Sequence, residues 1–238
     1  EAAIANSANT RRVVVVAVGT GEPTPLRDSV GAQLSPRVSL IDLSDGWSAP
    51  NDRIGDDDMV ILLRPTDRLE PEAAFRIADV MWEPPHLDRV TFDDDAPVGP
   101  VTEPRFHPAW SPEILWSANY VGRAFAIRGS LLADISFSGT GDDSWWDLLL
   151  SADRPPDRVL HVPEVLVHLG ARGSVPGDRS CDLVQRHLDA RGLRARAELH
   201  RGVPRLHWAE SDMPTVSVMV PTRHNREMMT GLLASLKA

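Results

Sequence analysis

Three consecutive carboxylates, Asp93-Asp94-Asp95, end the short β-prone run Val90-Thr91-Phe92. Such a cluster is either part of a binding site or a solvated charge run at a strand end. Asp42 and Asp45 flank the end of another apolar run, where a carboxylate either touches a bound nucleotide or caps a turn. His168 is either a ligand or a half-buried histidine with its hydrogen bonds satisfied. Trp110, Trp116, Trp145 and Trp146 offer flat aromatic faces of the kind that stack on sugars, and the same residues also suit a core. The only lysine, Lys237, lies beside the C-terminus, which excludes a P-loop lysine and disfavours Schiff-base chemistry. The one cysteine, Cys181, excludes an internal disulfide framework and any multi-cysteine zinc site, and it fits a reducing cytosolic setting.

The elements that must position these residues follow from hydrophobic pattern. The β-branched run Val13–Val18, closed by Gly19-Thr20-Gly21, predicts a strand buried on both faces. A helix is expected over Pro25–Leu34, with strands over Val38–Leu43 and Met59–Leu63 and a helix over Pro71–Met81. Alternating strands and helices predict an α/β fold with a mixed, mainly parallel sheet flanked by helices. The proline-rich passage Pro97–Pro112 is expected as an ordered loop or surface linker. Further on, a β-prone segment (120–127), a short helix (130–134), a helix (145–151) and a strand interrupted by Pro163 (159–168) are expected. An amphipathic helix (182–191) and a hairpin about Gly202 follow.

The 238 residues allow one large domain, or one domain and a fragment, with ample core. A net charge of −9 disfavours nucleic acid as a partner, and the longest apolar run is far too short to span a membrane. Residues 1–10 read as a disordered leader.

The stretch from Phe106 to Gly122, with Phe106, Pro108, Trp110-Ser111-Pro112, Leu115, Ser117 and Asn119-Tyr120-Val121-Gly122, resembles a signature of family 2 glycosyltransferases of the GT-A fold, in their bacterial polysaccharide branch. Asp93-Asp94-Asp95 stands where that branch carries an acidic triplet. Trp146-Asp147-Leu148-Leu149-Leu150 is similar to the end of its acidic helix, and Val159–His168 to a strand that ends in histidine. The resemblance implies a GT-A-like domain over 11–175 and a helix-hairpin connector over 176–213. It also implies, over 214–238, the first strand (Val216–Val220) and helix of a second such domain.

Family chemistry would displace a nucleoside diphosphate from a sugar. That needs a Mn²⁺ or Mg²⁺ ion held by a short-spaced carboxylate pair, and a carboxylate base on the acceptor hydroxyl. The resemblance places Asp42, Asp45, Arg64 and the triplet Asp93, Asp94 and Asp95 near the nucleotide-sugar, and leaves Asp67 and His168 as metal candidates. Yet Leu63-Arg64-Pro65-Thr66-Asp67 has Arg64 and Thr66 in place of the metal pair, and Trp145 stands at the base position. Asp143 and Asp147 are the remaining catalytic candidates. The aromatic and basic residues that the resemblance leads one to expect after His168 are replaced by Leu169 and Gly170. Two expectations follow. One is a weakly active or altered transferase acting on a glycan acceptor in cell-envelope polysaccharide synthesis, cytoplasmic or at the inner face of the membrane. The other is a non-catalytic module that scaffolds a partner domain or binds glycan. The 214–238 segment is expected to add to a sheet, dock on a second domain or another copy, or move freely.

Overall fold

A computed structural model describes residues 12–43, 53–81, 86–132, 135, 141–152, 155–173, 176–209, 215, 217–223 and 225–236. The expected leader and Asp45 lie outside the described residues.

Strand β1 (Val13–Val18) runs parallel between β2 (Val38–Leu43) and β3 (Met59–Leu63), with helix α1 (Thr24–Gly31) linking β1 to β2. After a two-residue strand β4 (Arg68–Leu69) and α2 (Ala73–Val80), the chain forms β5 (Arg89–Val98), β6 (Val101–Arg105) and the one-turn α3 (Pro112–Leu115). Strand β7 (Phe125–Arg128), helix α4 (Asp142–Ser151) and strand β8 (Val159–His168) complete an eight-stranded sheet of order β2-β1-β3-β7-β5-β8-β4, with β6 beside β5. Strands β1, β2, β3, β5 and β8 share one direction; β7, β6 and β4 oppose their neighbours.

β1 is apolar throughout because both faces of the sheet are covered. Val13, Val15 and Ala17 join a core with Leu26 of α1 and Ile77 of α2, while Val14, Val16 and Val18 face a second core with Trp145, Trp146 and Leu149 of α4. Helix α5 (Asp178–Ala190) adds Leu183, Val184 and Leu188 to that second core. The hairpin of β9 (Ala195–His200) and β10 (Val203–Trp208) lies along α5, where Gln185 accepts from the Ala197 amide (2.8 Å) and donates to the Ala195 carbonyl (3.1 Å). Its two-residue loop, Arg201-Gly202, has φ of 50° and 82°, the left-handed pair that matches strand twist in tight hairpins.

Three local expectations are corrected. Pro97–Pro112 is not a loop throughout: β5 continues through the acidic triplet to Val98 and returns as β6. Its prolines are tolerated because β6 is an edge strand paired only with β5. Pro163 does not interrupt β8; the strand runs through it and the register with β5 shifts at Phe92/Asp93 and Asp93/Asp94, a bulge that absorbs the missing N–H. The segment 130–134 makes a single 3₁₀ turn over Gly129–Leu131, with 133 and 134 outside the described residues.

The chain divides into two compact units, 1–208 and 209–238. In the second, helix α6 (Arg226–Ser235) forms with Asn225 as its cap, accepting from the Met228 amide at 3.0 Å. Residues 217–220 of the expected strand Val216–Val220 are not in a strand, since a strand needs a neighbour to pair with and no described residue supplies one; Val216 lies outside the described residues.

Candidate functional site

The loop after β3 is a tight turn with Pro65 at its second position, where the fixed φ of proline is favoured. The Asp67 amide donates to the Arg64 carbonyl at 3.0 Å, and the Arg64 amide donates to Asp67 Oδ2 at 2.9 Å. The Asp67 carboxylate is thereby turned inward and is 0% exposed. There Arg123 meets it with both branches of its guanidinium, Nε to Oδ2 at 2.9 Å and Nη2 to Oδ1 at 3.0 Å. The Gly170 amide gives a fourth bond, 2.9 Å to Oδ1. Four bonds fill the lone-pair directions of a carboxylate, so Asp67 has none to offer a cation.

Arg123 reaches this point from the turn before β7, where Gly122 has φ +61° and its amide is held by Asn119 Oδ1 at 3.0 Å. A second carboxylate, Asp142 at the start of α4, accepts from Arg123 Nη1 and Arg64 Nη2, both at 3.1 Å. One turn on, Trp145 is 0% exposed and donates its indole N–H to the Leu62 carbonyl at 2.8 Å. The Arg64 and Arg123 guanidiniums lie 5.4 and 5.6 Å from its ring centroid, within cation–π range. Burial, and then repulsion from Arg123, pull the Arg64 pKa below its ordinary value against the attraction of Asp142 and Asp67. Two guanidiniums, two carboxylates and an indole thus fill the space at the end of β3. The set is neutral in sum, and its members are matched to one another rather than left open to a divalent ion.

Beside this turn, Thr66, Asp95, His168 and Gly170 line a cavity of about 470 Å³. Both Asp95 oxygens lie 2.9 Å from His168 Nδ1, and His168 Nε2 lies 2.6 Å from Glu70 Oε1. Gly170 is required here by close approach, because a Cβ would fall 2.4 Å from Thr66 Oγ1 and 2.7 Å from the Thr66 carbonyl oxygen.

The other members of the triplet turn elsewhere. Asp94 is buried under Arg105, with bonds of 2.6 and 2.7 Å, and His107 Nε2 at 3.0 Å. Asp93 accepts from the His107 amide at 2.8 Å, and His161 Nε2 stands 3.4 Å away. Burial lowers the His161 pKa, outweighing Asp93. These two carboxylates brace the β5–β6 hairpin.

The structure therefore brings Arg64, Asp67, Asp95 and His168 to one region, with Trp145 beneath Arg64. Asp42 is exposed on the edge strand β2. Asp143 accepts from Ser180 Oγ at 2.8 Å, which ties α4 to α5, and Asp147 faces Arg186 across the same helix pair at 3.8 Å. Neither is placed with Arg64 and Asp67. Sequence reasoning missed Arg123, Asp142 and Glu70. The available signal was Arg123 itself, a charge embedded in the apolar segment 120–127 that had to find a buried partner.

No protein-family model matches the sequence. The chain is 27% identical over 198 residues to the O-antigen biosynthesis protein RfbC of Myxococcus xanthus, covering 76% of this chain and 15% of that protein. It is 24% identical over 202 residues to the uncharacterized protein y4gI of Sinorhizobium fredii, covering 74% of this chain and 22% of that one. The chain thus spans less than a quarter of the length of these relatives. The crystal structure of residues 1–349 of TarS from S. aureus superposes with a TM-score of 0.51 at 13% identity, over 75% of this chain and 65% of that one. The architecture is that of GT-A glycosyltransferases, a mixed sheet flanked by helices.

Proposed function

We propose that this chain is a GT-A module of a longer polysaccharide-biosynthesis protein, and that its own centre does not carry out cation-assisted sugar transfer. The likeness to RfbC supports the process. The observation that carries the second half is the closed set Arg64–Asp142–Arg123–Asp67 around Trp145. A Mn²⁺ or Mg²⁺ ion would meet guanidiniums where it needs oxygen ligands, and the one surviving carboxylate of the Arg64–Asp67 turn has its acceptor sites filled. A base would have to replace a buried indole that has no proton-accepting nitrogen. The residues present do not fit the ion.

A second reading, residual transfer, draws on the cavity lined by Asp95 and His168, where a carboxylate lies next to an imidazole. In that reading a nucleotide-sugar and a glycan acceptor are the ligands. Titration calorimetry of the chain with a panel of nucleoside-diphosphate sugars, with and without Mn²⁺, separates the two. The non-catalytic reading expects no heat that depends on the cation and no sugar release or transfer. Cation-strengthened binding together with turnover that disappears in Asp95→Asn would replace it with the second.

A further inference from the structure

We draw no further inference here: the strongest candidate, the cavity of about 500 Å³ between α4 and α5 lined by Asp147, Ser151, Arg186, His187 and Arg191, sets a carboxylate 3.8 Å from a guanidinium, and nothing in the structure shows what covers it.

Discussion

At Asp67 one carboxylate accepts from two arms of Arg123, from the Gly170 amide and from the Arg64 amide, and it does so without contact with solvent. Removing one member of a buried pair strands the other charge. Asp67→Ala is therefore expected to cost about 3–5 kcal/mol, read from the urea midpoint, far beyond the usual effect of losing a surface carboxylate. His187 gives a pH-dependent counterpart. Its Nε2 is buried with no hydrogen-bond partner among the described residues, and burial lowers its pKa against a weaker pull from Asp147. A folded-state pKa below the ordinary value means that the unfolded chain binds the proton more readily. The contribution of His187 to stability is thus complete above roughly pH 6.5 and is lost as the pH falls below it. Unfolding followed from pH 7.5 to 5 should show that decline, and His187→Leu should flatten part of it.

Among the elements, α5 and the β9–β10 hairpin depend on each other most directly. Among the described residues the hairpin has no third strand, and a two-stranded ribbon is marginal alone. Gln185 ties it to α5 through two bonds to the β9 backbone. Gln185→Ala is expected to cost about 1–2 kcal/mol and to speed hydrogen exchange at the Ala197 amide more than in β1. Equal protection in both variants would show that apolar contacts of Ala195, Ala197 and Leu206 hold the hairpin unaided. The same scale explains how much of the fold was legible. Continuous apolar runs identify β1 and β3 because both faces of those strands are buried. The β5–β6 hairpin was hidden because Pro97, Pro104 and three aspartates contradict strand propensity locally, while Arg105, His107 and the neighbouring strands satisfy those groups in three dimensions.

For the whole molecule, the two cores on either face of the sheet are drawn entirely from residues of the first unit, and α6 contributes no buried residue. Ending the chain after Trp208 is therefore expected to leave the thermal midpoint within about 2 °C of the full chain. A larger drop would show that residues 209–238 carry stability that the core composition does not reveal. Among the described residues no helix is long and apolar enough to cross a membrane. The chain aligns with 15% of the length of RfbC.

Residue types alone determined that Arg64 and Thr66 occupy the turn after β3 and that Trp145 stands in the first turns of α4, since identity at a strand end or helix start is a local property. Apolar periodicity likewise determined most strands and helices. Only the tertiary structure decided what became of the carboxylates that remained. Asp67 is closed by an arginine 56 residues away, and Asp142 is claimed by one 78 residues distant. Lone pairs are filled by whichever donors packing brings within about 3 Å, and sequence spacing does not encode that distance.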